Sequence, residues 1–108
     1  MIVPIVCWGP HVKLAPHCIE SLDYEGHRII IYTNEPDNFR EYETKPLPDG
    51  RTKHQRTTEA FRDALKEGPI CTISPDMIAS WGILRELERH LDKKMVMVPV
   101  VRVGSWPE

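Results

Sequence analysis

The chain has 108 residues, 41% hydrophobic and 28% charged, which is the make-up of one folded domain able to bury about two thirds of its unfolded surface without cross-links, and not that of a disordered segment. Its formal net charge is -2 with acids and bases interspersed, so the basic stripe of a nucleic-acid binder is missing. No stretch approaches the roughly 18 apolar residues of a membrane span, and Met1 leads into a strand-like run rather than a signal peptide, so a cytoplasmic protein with a single domain over residues 1–108 is expected.

Ile2 to Cys7 is a short continuous apolar run closed by Trp8-Gly9-Pro10, which predicts a buried strand ending in a tight turn. Pro4 lacks an N–H donor, which places the start of this run where the ladder is incomplete. From His11 to about Leu22, residues Val12, Leu14, Ala15, Cys18, Ile19 and Leu22 recur at spacings of three and four and mark one buried helix face. Pro16 disfavours helix at Ala15, so regular helix is expected from near Pro16 with a looser turn before it. Gly26 ends the segment, and Arg28 to Thr33 predicts the second strand.

Asn34 to Asn38 has turn chemistry, Tyr42 to Leu47 reads as a short or edge strand, and Pro46 to Gly50 as a loop. Helical periodicity resumes from Thr52, with Ala60, Phe61, Ala64 and Leu65 on one side and Lys53, Arg56, Arg62 and Lys66 mostly on the other, until Gly68 stops it. Pro69 to Ile73 is a further apolar strand. Ser74-Pro75-Asp76 then offers an N-cap, a proline at the first helical position and an early acid, predicting a helix whose buried stripe is Met77, Ile78, Trp81, Leu84, Leu87 and Leu91. Lys94 to Val103 predicts the last strand.

Strands that are apolar throughout, alternating with helices, predict an α/β fold: a three-layer αβα arrangement around a mostly parallel, doubly wound Rossmann-like sheet. Such sheets take ligands beyond the strand carboxyl ends, here Trp8 to His11, Thr33 to Asp37, Ser74 to Asp76 and Arg102 to Ser105.

Among residues able to carry chemistry, no dinucleotide fingerprint and no Walker loop occurs, and His11 and His17, six apart, do not share a helix face as a zinc pair would. Cys7, Cys18 and Cys71 are odd in number and lack metal-knuckle spacing, which suits buried free thiols. Arg51 to Arg56 gathers three fixed positive charges, His54 and free helix-start N–H groups, able to hold a phosphate or diphosphate; the same run also suits a solvated helix start. Asp76 stands where the fold puts functional groups, although an acid in a first helical turn also stabilises the helix by up to about 1 kcal/mol without any ligand.

The runs Val3-Pro-Ile-Val-Cys-Trp-Gly9, Cys18-Ile-Glu-Ser-Leu22, Ile30-Ile-Tyr-Thr33, Ile73-Ser-Pro-Asp-Met-Ile-Ala-Ser-Trp-Gly82 and Val98-Pro-Val-Val-Arg102 together resemble the nucleotide-binding core of GT-A type glycosyltransferases. The resemblance implies that Trp8 and Gly9 lie beside a nucleotide-sugar donor, that Thr33 and Asn34 reach its base or ribose, and that Asp76 meets diphosphate and a Mn or Mg ion; Arg51, His54 and Ser74 complete the expected binding set. The implied reaction is attack of an acceptor hydroxyl on a sugar carbon with a nucleoside diphosphate leaving, for which Asp37, Asp49 and His54 are candidate bases. Two departures from the pattern are Trp81, where such motifs often carry a second acid, and a chain ending at Glu108 before the usual acceptor-binding half. The expected function is thus a minimal or relict glycosyltransferase-like domain binding a nucleotide-sugar or nucleoside diphosphate. The alternative is a non-catalytic protein-interaction module, an accessory or phage-type inhibitor protein, that meets a protein partner or its own copy through the C-terminal tail around Trp106.

Overall fold

A computed structural model describes residues 1–23, 26–80, 82–92 and 101–102. Its centre is a parallel sheet of three strands in the order β1-β2-β3: β1 (Ile2–Cys7), β2 (Arg28–Thr33) and β3 (Glu43–Lys45). β1 and β2 pair along their whole length, from Ile2 opposite Arg28 to Cys7 opposite Thr33. β3 is the short edge strand foreseen within residues 42–47, pairing Glu43 to Lys45 with Ile30 to Tyr32.

Successive residues of a strand point to opposite faces, and the two sets are covered by different helices. Val3, Ile5, Cys7 and Ile31 pack with Ala15, Cys18, Ile19 and Leu22 of α1 (His11–Asp23). Ile2, Ile30 and Tyr32 pack with Ala60 and Ala64 of α2 (Lys53–Leu65). The alanines have no side chain beyond Cβ, so α2 lies close against the sheet, and both are fully buried. α1 runs unbroken through Pro16, against the expectation of a looser first turn. Pro16 is exposed, and burial of Ala15, Cys18 and Ile19 around it outweighs the lost backbone bond.

The far side of β1 shows what Pro4 does. Ile2 N–H donates to the Pro69 carbonyl at 3.0 Å and Cys71 N–H donates to the Ile2 carbonyl at 2.8 Å, so Ile2 bonds toward residues 69–71. Pro4, two residues on, faces the same way with no N–H to offer, and the strand predicted over Pro69 to Ile73 is reduced to one parallel bridge, Ile2 with Ile70.

The helix predicted to start at Ser74-Pro75-Asp76 does not form there. The Ser74 hydroxyl donates to Asp76 Oδ1 at 2.6 Å instead of capping a helix, and Met77 N–H closes a turn onto the Ser74 carbonyl at 3.0 Å. The chain continues as β4 (Met77–Ile78), antiparallel to β5 (Val101–Arg102), and helix begins only at α3 (Ile83–Glu88), entered through Gly82 at φ 80°. Of the foreseen stripe Leu84 is buried, whereas Leu91 is exposed and Trp81 lies outside the described residues. The last strand, expected over 94–103, is described only at 101–102. Among the described residues the chain is thus an α/β structure with three paired parallel strands, smaller than the sheet the sequence predicts. No described helix is long and apolar enough to cross a membrane.

Candidate functional site

Beyond the carboxyl end of β1 lies a crevice of about 460 Å³, lined from three directions. Val6, Trp8, Pro10 and His11 come from the end of β1 and the start of α1. Ile73, Ser74 and Pro75 follow the bridged segment, and Lys53, Arg56, Thr57 and Phe61 belong to the first half of α2. The volume falls within the range of about 300–1,000 Å³ usual for small-molecule sites.

Each wall has a local cause. Gly9, at φ 57°, takes the left-handed conformation that lets the chain turn from strand to helix, and the carbonyls of Trp8 and Gly9 accept from His11 and Val12 N–H, both at 3.2 Å. A Cβ on Gly9 would meet nothing within 4 Å, so the need for glycine is conformational. α2 opens with a capping box: the Thr52 hydroxyl accepts from Gln55 N–H at 3.2 Å, and the Gln55 side chain accepts from Thr52 N–H at 2.9 Å. That fixes the first turn and the direction of Lys53 and Arg56.

Arg56 dominates the crevice electrostatically. Its guanidinium lies 4.9 Å from the Trp8 ring centroid, a cation–π arrangement, and Nη1 donates to the Arg51 carbonyl at 2.8 Å. Its Nε is buried and has no hydrogen-bond partner among the described residues. An orphaned buried donor costs about 1–3 kcal/mol, more on a charged group. Among the described residues neither Arg56 nor Lys53 has a carboxylate within ion-pair distance, unlike Arg51, whose Nε binds Glu59 at 2.9 Å.

Of the residues singled out from sequence, Trp8 and Ser74 line the crevice together. Gly9 forms the turn beside it. Thr33 is buried at the end of β2, its hydroxyl accepting from Glu35 N–H at 3.0 Å, and Asn34 is exposed; neither lines the crevice. Arg51 and His54 are exposed on the outer side of the α2 start, with Arg51 held by Glu59. Asp37 and Asp49 are exposed and do not line the crevice, so none of the three candidate bases does. His11 lines it but was set aside as half of an unsuitable metal pair; its place just after the β1 turn was the signal for it. Lys53 and Arg56 were read as part of a charge run, and the Trp8 contact that singles out Arg56 has no trace in local spacing.

Asp76 is 6% exposed, with Oδ1 accepting from Ser74. A hard divalent ion wants about six oxygen ligands, usually with more than one carboxylate. No group of three metal-ligating side chains occurs among the described residues, so these residues do not by themselves enclose a Mn or Mg ion. The thiols offer no nucleophile either: burial pushes Cys7 and Cys18 up to about 12 and raises Cys71 as well, so all stay protonated near neutrality. Residues 103–108, including Trp106, lie outside the described residues, and with them all but Arg102 of the ligand-facing segment expected at Arg102 to Ser105. Compared with known proteins, the chain matches no family model, no curated protein and no solved structure.

Proposed function

We propose that this chain is a glycosyltransferase-like, doubly wound α/β domain that binds a nucleoside diphosphate or nucleotide-sugar in the crevice lined by Trp8, Lys53 and Arg56. The observation that carries this reading is the orphaned, buried Nε of Arg56, next to the unpaired Lys53 and an indole, in a cavity of ligand size. A phosphate oxygen supplies the acceptor that Arg56 lacks and the charge that both cations lack. Because Nε is shielded from solvent in this pose, the side chain turns off Trp8 to meet the ligand, exchanging an unsatisfied donor for a charge-assisted bond. The freed indole then offers an apolar face to a base or a sugar ring.

The chain path supports the same place. β1 has β2 on one side and residues 69–71 on the other, so strand order reverses at β1. In open α/β sheets the crevice at such a reversal is where ligands bind. The reading is one of binding, since fold likeness does not fix a reaction.

A thermal-shift titration with UDP, GDP, CDP and their sugars, repeated on Trp8→Ala, tests it. At ligand tenfold above Kd, linkage gives about 1.4 kcal/mol, roughly 6 °C in a domain of this size. A rise of that order for at least one nucleotide, lost in Trp8→Ala, is expected. A flat response to every nucleotide and sugar overturns the proposal and directs work to the interaction reading and the tail around Trp106.

A further inference from the structure

We infer that the crevice holds the diphosphate by Lys53 and Arg56 alone, with no divalent ion, an inference that rests on the nucleotide-binding reading above. The expectation from the family resemblance is the opposite: an acid after the fourth strand segment, here Asp76, bridged to the diphosphate by Mn or Mg. Two independent observations oppose that arrangement here. Asp76 is buried, is engaged by the Ser74 hydroxyl at 2.6 Å, does not line the crevice, and has no companion carboxylate set among the described residues. On the opposite wall two cations line the cavity with no carboxylate partner among the described residues, one of them with a buried donor unfilled there.

A nucleoside diphosphate carries about three negative charges at neutral pH, and they need counter-charge wherever the ligand is desolvated. A divalent ion is one source; a lysine point charge and an arginine fork are another, and they sit here on consecutive turns of one helix, at i and i+3. The capping box fixes their backbone before any ligand arrives, and only the Arg56 side chain has to turn.

The test uses the full chain, with inorganic pyrophosphate and UDP as probes, by calorimetric titration in EDTA and again in manganese. The expected result is equal affinity in the two buffers, a loss of tenfold or more in Arg56→Met and in Lys53→Met, and unchanged affinity in Asp76→Asn. Each variant's unfolding midpoint without ligand is measured alongside, so a lost fold is not mistaken for a lost site. Binding of UDP only in manganese, abolished by Asp76→Asn and indifferent to Arg56→Met, overturns this inference and leaves the nucleotide-binding reading standing. No binding of either probe in either buffer overturns both. Pyrophosphate binding in EDTA without any UDP binding supports the cation pair and removes the nucleotide.

Discussion

The two halves of α2 carry similar charges in opposite circumstances. In the C-terminal half, Asp63 Oδ2 accepts from the Tyr32 hydroxyl at 2.6 Å and from Lys45 Nζ at 3.0 Å. Just past the helix, Glu67 accepts from Lys45 and Arg28, and Arg28 also binds Glu43, so strand β3 and the helix end are tied together. Every charge in that group has a partner. In the N-terminal half Lys53 and Arg56 have no carboxylate partner among the described residues, and Arg56 leaves a buried donor without an acceptor there. A helix resting on one sheet face through Ala60 and Ala64 is thus tied to strands β2 and β3 at one end through Asp63 and presents Lys53 and Arg56 to the crevice at the other. Matched charges hold the edge strand; the buried Arg56 donor is the observation on which the proposed ligand site rests.

The harshest way to break the comparison is to lift the helix from the sheet. Ala60→Leu inserts three carbons where Ile2, Ile30 and Tyr32 leave no space, and overpacking of this kind costs about 1–3 kcal/mol, or roughly 5–20 °C in melting temperature. Both ends should suffer together, so the midpoint falls and affinity for a nucleoside diphosphate falls with it. An unchanged midpoint in calorimetry would show that the alanines do not set the helix-to-sheet distance.

Separating the ends gives smaller and opposite effects. Arg56→Met gives up the bond to the Arg51 carbonyl and the Trp8 contact but also removes the orphaned donor; the gain and loss are each about 1 kcal/mol, so stability should move by less than that while binding is lost. Tyr32→Phe does the reverse: removing a hydroxyl from a buried ring that donates to Asp63 should cost about 1 kcal/mol and leave binding unchanged. If denaturant midpoints and titrations moved in parallel in both variants, the division of α2 into a structural and a binding end would be wrong.

Much of this was legible in the chain. The apolar run of Ile2 to Cys7, the three-and-four spacing of Ala15, Cys18, Ile19 and Leu22, and the helical periodicity from Thr52 are local signals, and the elements they predict are present. Ser74-Pro75-Asp76 misled because a capping serine is recognised by residue type, whereas its hydroxyl here is taken by the acid two residues later. Residues 69–73 misled because their pairing depends on Pro4, sixty-five positions away from Pro69 in sequence. The same distance hid the site. Trp8 and Ser74 could be placed at strand ends by the pattern, but that Arg56 would lie over Trp8, forty-eight residues earlier, depends on which face α2 takes. Thr33 and Asn34 follow from the family resemblance and from their place at a strand end, a position the fold offers several times and of which the crevice takes the end of β1.

The smallest expected effect is also the one that separates the two ends by pH. The Arg28 guanidinium holds Glu43 and Glu67 below the usual carboxylate range, and the Tyr32 hydroxyl with Lys45 does the same for Asp63. A carboxylate lowered in the folded state binds its proton more weakly there than in the unfolded chain. Its stabilisation is therefore present above the ordinary values of 4.5 for the two glutamates and 3.8 for Asp63, and is lost as pH falls through the lower folded values. These groups are a third or more exposed, so solvent and salt screen them and the loss is modest. Tyr32 works at the other extreme: burial, then its bond to Asp63, raises it, so its contribution is complete below 10.0 and fades as pH climbs above that. Denaturant midpoints should accordingly be level from about pH 5 to pH 9, fall below about pH 4 less steeply in 0.5 M salt, and lose part of the acid dependence in Asp63→Asn. The carboxylates that set this acid dependence do not line the crevice, so on the protein side affinity for pyrophosphate should not follow the midpoint down. Affinity that tracked stability step for step below pH 5 would mean that the matched end of α2 governs the crevice, and the two halves would have to be treated as one unit.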